Sequence, residues 1–357
     1  MAERKHNFNA GPGALPRSVL EEVQQDLVDW KGTGMSVMEM SHRTPVYEGI
    51  LFEARDVIAS LYDLPDTHEV LFLQGGASLQ FAMVPLNLGA GGAYANTGTW
   101  ATKALEEARR VGFADEVWSS EKSGFKSVPG VHEVLEVPES ATYFHYTSNN
   151  TIYGTQYQHR PRVGVPLVCD MSSDFLSRPV DVGAYDLIYA GAQKNAGPSG
   201  VTVVIGKKDL LRSFTGEATV PTMLRYATHA KNDSMYNTPN TFGIYVVGLV
   251  AKWVRDIGGL AAMHIVNQSK AQALYEALDA HPLVTGHAEL ASRSLMNVTF
   301  RLETPEQEKR LLARAESAGM EGLKGHRSVG GLRASIYNAV PEASVAALVD
   351  LIRGFAG

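Results

Sequence analysis

The sequence predicts an α/β protein, with a large domain on a doubly wound, mostly parallel sheet and a smaller C-terminal α+β domain. Three observations predict it. Short apolar runs recur between helical patterns from Val70 to Ile205. Several of those runs are apolar throughout instead of alternating, as strands buried on both faces are. The texture then changes after about Gly258, where long amphipathic helices frame two isolated strand patterns. The 357 residues agree with two units at roughly 150 residues each. The expected division is 16–258 for the large domain, and 1–15 with 259–357 for the small one.

Residues 1–15 read as irregular, with Gly11-Pro12-Gly13 as turn chemistry. Pro16 is expected to open a helix, with Val19, Leu20, Val23, Leu27 and Trp30 on one face and Gly32 closing it. Helices are then expected to alternate with strands at Val70–Leu73, Gly92–Asn96, Glu116–Trp118, Thr142–Thr147, Leu167–Met171, Leu187–Ala190 and Val201–Ile205. Phe242–Val250 reads as an apolar helix. Beyond it come a long helix carrying Met263, Leu274 and Leu278, and a strand at Met296–Phe300. A helix near Gln307–Ala318, a strand at Gly331–Tyr337 and a helix over Ser344–Phe355 complete the chain.

Composition narrows the function. Hydrophobic residues are 45% and charged residues 20%, as in ordinary globular chains. The net charge of −6 offers no basic excess for a phosphate backbone, which argues against nucleic acid. One cysteine, Cys169, cannot form an internal disulfide, so a reducing, cytoplasmic setting is expected. The N-terminal residues lack an apolar signal core. The longest apolar stretch, Phe242–Ala251, falls short of the about 20 residues a membrane span needs. The 11 histidines show no paired helical spacing, so no metal site is expected.

The strongest local signal is the run from Tyr185 to Gly200. In it an apolar strand ends in small residues, then Gln193-Lys194, then a Gly/Pro/Ser turn. Ligands of doubly wound sheets sit at such strand ends. A lysine amine there can condense with a carbonyl once desolvation lowers its pKa. Taken alone, it could equally snorkel out to solvent. Asp170 ends another apolar strand. A buried carboxylate needs a partner, and a protonated pyridine nitrogen is one; capping of the following turn is the alternative. Together, Asp170 and Lys194 suit opposite edges of one cofactor ring.

Leu73-Gln-Gly-Gly-Ala77-Ser78 runs from a strand into a helix N-terminus, which attracts phosphate. It is neither a Walker A loop nor a dinucleotide fingerprint, and it is also compatible with plain turn geometry. Trp100 opens a helix after a strand and can stack on a ring or pack in the core. Thr151 sits in a polar loop, where its hydroxyl can bind a phenolic oxygen or shape the turn. His42-Arg43 and His326-Arg327, with Arg333 beyond, form two basic clusters that suit a small anionic substrate.

Together these residues resemble the phosphoserine aminotransferases, class V pyridoxal-phosphate enzymes of fold type I, over nearly the whole chain. The most specific stretches are Asp170-Met-Ser-Ser-Asp-Phe-Leu-Ser-Arg-Pro, Tyr189-Ala-Gly-Ala-Gln-Lys-Asn and Gly331-Leu-Arg-Ala-Ser-Ile-Tyr-Asn. Asn7-Phe-Asn-Ala-Gly-Pro, Ser36 to Arg43, Met235-Tyr-Asn-Thr-Pro and Leu323-Lys-Gly-His-Arg support them. The resemblance implies that Lys194 holds pyridoxal 5'-phosphate as a Schiff base and moves the substrate proton. It places Asp170 on the pyridine nitrogen, Trp100 on the ring face and Thr151 on the phenolic oxygen. Ala77, Ser78 and Gln193 would bind the cofactor phosphate, with Asn237 and Thr238 arriving from a second subunit of a homodimer with shared sites. Arg333 would hold the substrate α-carboxylate, while His42, Arg43, His326 and Arg327 receive its distal anion. The His326-Arg327 loop is also a candidate for serving the partner's substrate. Ser78 replaces an arginine found in some members, and Met171 and Asp174 also differ from some.

The implied reaction is reversible transamination between phosphoserine with 2-oxoglutarate and 3-phosphohydroxypyruvate with glutamate, in serine biosynthesis. Phosphohydroxythreonine in pyridoxine biosynthesis is a further implied substrate. The alternatives are a desulfurase, which needs a mobile cysteine unlike Cys169, a serine–glyoxylate type enzyme, and a non-catalytic cofactor-binding protein.

Overall fold

A computed structural model describes residues 4–214 and 216–356. In chain order its main sheet contains β1 (His68–Leu73), β2 (Gly92–Asn96), β3 (Ala114–Ser119), β4 (Phe144–Thr147), β5 (Leu167–Asp170), β6 (Leu187–Gly191) and β7 (Thr202–Lys207). Their order across the sheet is β1-β7-β6-β5-β4-β2-β3. All neighbouring pairs are parallel except those of β7, which is antiparallel to both β1 and β6. β4, β5 and β6 are buried at every position, the pattern of strands covered on both faces.

Side chains alternate between two cores along each strand. Val70, Phe144, Cys169, Ile188 and Val203 enter one core, shared with helices α1 (Arg17–Asp26), α2 (Pro45–Leu61) and α5 (Thr241–Asp256). Leu71, Tyr94, Val168, Tyr189 and Val204 enter the other, shared with α3 (Gly76–Leu88) and α4 (Thr99–Val111). Two of these helices begin at a side-chain cap that satisfies a free N–H group. Thr44 accepts from Tyr47 N at the start of α2, and Asn240 accepts from Gly243 N at the start of α5.

A third core lies under the three-stranded sheet β8 (Val284–Gly286), β9 (Asn297–Leu302) and β10 (Leu332–Ser335), all antiparallel. It is packed by α6 (Gly259–Asp279), α7 (Pro305–Ser317) and α8 (Glu342–Arg353). The N-terminal segment joins this unit. His6–Asn7 pairs in parallel with Met320–Glu321, and Phe8 is buried in the same core. Among the described residues no helix is long and apolar enough to cross a membrane.

Three expectations need correction. The first helix does not run from Pro16 to Gly32. It ends at Asp26, and Trp30–Gly32 forms a separate 3-10 turn. Asp29 accepts from Gly34 N, and Lys31 adopts a left-handed φ of 48°. That local side-chain bond competes with helix continuation. Helices also do not separate every pair of strands. They separate β1, β2 and β3, whereas among the described residues β3 to β6 are linked by loops containing at most single 3-10 turns and a two-residue ladder. Beyond β10, residues 336–340 leave the strand, so the expected Gly331–Tyr337 strand is shorter.

Ile188→Ala should destabilise the protein by about 2–5 kcal/mol, because Ile188 lies in the sheet core at 1% exposure. Ile265→Ala on α6, at 67% exposure, should change stability by less than about 0.5 kcal/mol. Urea unfolding measures both. Equal losses would contradict the assigned faces.

Candidate active site

The carboxyl ends of β1, β2, β4, β5 and β6 converge on a cavity of about 390 Å³. The strand order reverses beside β4, because β4, β5 and β6 step one way across the sheet while β2 and β3 step the other. Such a switch point leaves a crevice outside the strand ends. Ala77, Ser78, Trp100, Thr151, Asp170, Gln193, Lys194, His326 and Arg333 all line this cavity. Each but His326 and Arg333 follows or ends a strand of the main sheet. Arg333 comes from β10 of the smaller sheet, and His326 from the loop before it.

Lys194 lies in the turn after β6. Its Nζ donates to Thr151 Oγ1 at 2.6 Å and sits 5.3 Å from the Trp100 ring centre. Desolvation lowers its pKa from 10.5 to about 8; Asp170 opposes this shift and Arg333 adds to it. Asp170, 3% exposed, ends β5 and accepts from Ser172 N at 2.9 Å. Burial raises the pKa of its carboxyl, while the charge of Lys194 and the Ser172 bonds pull it back. The Lys194 backbone is held from the N-terminal segment. Gly13 N donates to Gln193 O at 2.7 Å, and a Cβ on Gly13 would stand 2.5 Å from Lys194 O.

One end of the cavity lies at the start of α3. Gly75 takes a φ of +91°, and a Cβ there would meet the Leu79 side chain at 2.5 Å. This turn leaves the first N–H groups of a 13-residue helix beside Ser78 Oγ, with the positive end of the helix dipole. At the other end Arg333 Nη1 donates to Thr151 O at 3.5 Å, while its Nε is buried without a partner. Burial lowers the pKa of its guanidinium. Burial, Arg333, Arg327 and Lys103 together lower that of His326. A guanidinium lining a cavity is a ready site for a carboxylate. Among the described residues no cluster could hold a metal ion.

The single chain does not bring every expected residue here. His42 is buried before α2 with its Nε2 unpartnered, and Arg43 is exposed; neither lines the cavity. Asn237 and Thr238 are exposed ahead of α5, and Asn237 lines a separate cavity of about 160 Å³ with Leu73 and Met83. Arg327 is exposed beside His326. His326 lines the cavity of its own chain. Sequence reasoning missed Ser172, whose N–H holds Asp170 and whose Oγ accepts from Gly191 N at 3.0 Å. It also missed Lys103, 4.7 Å from the Trp100 ring centre; its spacing one helical turn from Trp100 was the available signal.

The sequence pattern described as aminotransferase class-V matches residues 5–348. A phosphoserine aminotransferase of Geobacillus kaustophilus is 53% identical over 357 residues, covering 99% of this chain and 98% of that one. One of Lysinibacillus sphaericus is 51% identical over 360 residues, covering 99% of each. The solved phosphoserine aminotransferase of Bacillus circulans subsp. alkalophilus superposes with a TM-score of 0.96 at 50% identity, covering 99% of both chains.

Without added ligand, Lys194 should lose its proton with a midpoint of about 8. Asp170→Asn should move that midpoint down, because it removes the charge that favours the ammonium. Arg333→Met should move it up, because it removes a neighbouring cation. The pH dependence of Lys194 modification by an amine reagent, read by peptide mass spectrometry, measures all three. A wild-type midpoint near 10.5, or either shift reversed, would refute the electrostatics described.

Proposed function

This chain belongs to the class-V aminotransferases, and we propose that it is a pyridoxal-phosphate-dependent phosphoserine aminotransferase serving serine biosynthesis. The reaction exchanges the amine of phosphoserine for the oxo group of 2-oxoglutarate, giving 3-phosphohydroxypyruvate and glutamate. One observation carries the reading. A single cavity joins a lysine with its pKa at about 8, a buried carboxylate, a helix N-terminus and an arginine with a free buried nitrogen. The unpartnered Arg333 Nε and the glycine-lined end of α3 are the features that fit the cofactor–substrate pair. When bound, pyridoxal phosphate supplies a carbonyl that condenses with amines and a ring that accepts an electron pair.

The protein's own groups supply the rest. The amine of Lys194 is the attachment point and becomes reactive near neutrality because its pKa is lowered. With the cofactor bound, the same amine would take the proton from the substrate Cα and give it back. Asp170 holds a proton on the pyridine nitrogen, since a buried carboxylate favours a cation beside it. The Ala77 and Ser78 N–H groups, Ser78 Oγ and Gln193 receive the phosphate, and Thr151 Oγ1 the phenolic oxygen. Trp100 covers one ring face. Arg333 grips the α-carboxylate shared by phosphoserine and glutamate, and His326 faces the distal anion.

The remaining cations and polar groups suit a second copy. Asn237 and Thr238 lie on an exposed turn, Arg43 and Arg327 are exposed, and none lines its own chain's cavity. In a homodimer with a two-fold axis, each could complete the neighbour's site, twice over. A cytoplasmic location and the division into domains 16–258 and 1–15 with 259–357 belong to the same proposal.

Purified protein with pyridoxal phosphate should form glutamate from phosphoserine and 2-oxoglutarate. No phosphoserine-dependent glutamate, or equal turnover with alanine, would overturn the assignment. Asp170→Asn should fold normally and lose on the order of 10²-fold or more in kcat; unchanged turnover would remove Asp170 from the ring nitrogen.

Two inactive variants, Lys194→Ala and Asn237→Ala/Thr238→Ala, test the shared site when mixed under subunit-exchanging conditions. Each hybrid has one site with both lesions and one with neither, so activity should rise towards about a quarter of wild type. If exchange occurs and nothing is restored, the shared site is wrong.

A further inference from the structure

A buried lysine outside the cavity, Lys270 on α6, has no part in the chemistry above. It is 2% exposed, and its Nζ reaches four backbone carbonyl oxygens: Ile336 at 3.1 Å, Tyr337 at 2.7 Å, Asn338 at 3.4 Å and Val340 at 3.2 Å. The ammonium has three N–H donors and its four neighbours only accept, so every donor is used and at least one is shared between two carbonyls. Burial lowers the pKa of the ammonium to about 7, and the charge of Glu342 opposes that shift.

The caged turn leads straight to the catalytic lysine. Asn267, one helical turn before Lys270, donates from Nδ2 to Asn338 Oδ1 at 2.8 Å and to Ser177 O at 3.2 Å. Asn338 N donates to Asn195 Oδ1 at 2.9 Å, and Asn338 Nδ2 to Leu176 O at 2.7 Å. Asn195, next to Lys194, donates to Phe175 O at 2.6 Å. At its other end the caged turn continues directly from β10, which carries Arg333.

We propose that Lys270 is a positioning residue for transamination: by gathering the carbonyls of residues 336–340 into one turn, it docks Asn338 on Asn195 and so fixes Arg333 relative to Lys194. This rests on the roles assigned above to Lys194 and Arg333. A methionine at 270 would fill similar space but take the lysine donor from the carbonyls of Ile336, Asn338 and Val340 and leave Tyr337 O with Val340 N alone, so the turn would relax to find others. Small displacements of a substrate-holding arginine are expensive in rate.

The test compares Lys270→Met, Asn195→Ala and the double variant in the cofactor-loaded protein. One readout is kcat/KM for glutamate. The other is the pH midpoint of the visible band that cofactor bound to Lys194 gives. Each single variant should lose on the order of tenfold or more in kcat/KM and move the midpoint by about half a pH unit or more. The double variant should do little worse than the poorer single one, since both break one chain of contacts. A Lys270→Met protein that only melts earlier, with kcat/KM within about twofold of wild type and an unmoved midpoint, would overturn the proposal. Additive losses would do the same. Should Lys270→Met not fold, Asn195→Ala, which spares the α6 core, decides alone: an unmoved midpoint refutes the docking. If the wild type gives no band that Lys194→Ala abolishes, the functional reading itself has failed. A normal wild-type band with unmoved variants sinks only the positioning role.

Discussion

The charge pair of Asp170 and Lys194 is the constraint on which the rest of the site depends. Each charge is costly where the sheet ends, because little water remains to solvate it. Each also lowers the other's cost: Asp170 favours the ammonium, and Lys194 favours the carboxylate. The pair has opposed requirements, since Asp170 must stay ionised while Lys194 must shed its proton easily. Arg333 resolves the conflict by adding a second cation that pushes only Lys194 towards neutrality. Parallel strands make the placement possible. β5 and β6 end side by side, Asp170 pairing with Tyr189, so two residues distant in sequence face one space.

Arg333 belongs to a different core from the pair it tunes, so the join between sheets must be exact in orientation as well as close. The join is polar. Asn149 Nδ2 donates to Asn297 Oδ1 at 2.7 Å, Asn297 Nδ2 to Ser335 Oγ at 2.9 Å, and Thr299 Oγ1 to Ile152 O at 3.0 Å. Asn149, Asn297 and Ser335 are all buried, and in low dielectric a satisfied network tolerates one arrangement. An apolar seam would bury area without fixing direction. Lys270 and Asn338 extend the same logic to the rim of the Lys194 turn.

Strand positions were legible because burial on both faces writes unbroken apolar runs, and chemistry at their ends stands out against them. Asp170 and Lys194 are polar interruptions of that kind. The first helix was overextended because periodicity at Leu27 and Trp30 survives while Asp29 diverts the backbone locally. The missing helices between β3 and β6 left no trace, since their loops carry ordinary turn residues. Ser172, Asn195, Asn338 and Lys270 were unreadable for another reason. Their partners lie far away in sequence or in backbone groups that carry no side-chain signature. Asn237 and Thr238 rested on resemblance, and His42, Arg43 and Arg327 on clustered charge as well; a single chain leaves all five outside the cavity.

The arrangement around Lys194 also gives substrate arrival a chemical consequence. Arg333 lowers the pKa of Lys194 through its positive field, and under the proposed function its guanidinium, which lines the cavity, seats the substrate carboxylate. A carboxylate seated there cancels part of that field, which acts in the same direction as removing the arginine. The amine's affinity for a proton therefore rises when a substrate is in place. Under the proposed function the lysine needs to be uncharged to hold a carbonyl before binding, and to take a proton from carbon after it. One arginine would serve both needs, because its charge is exposed to the amine in the first state and neutralised by the substrate in the second.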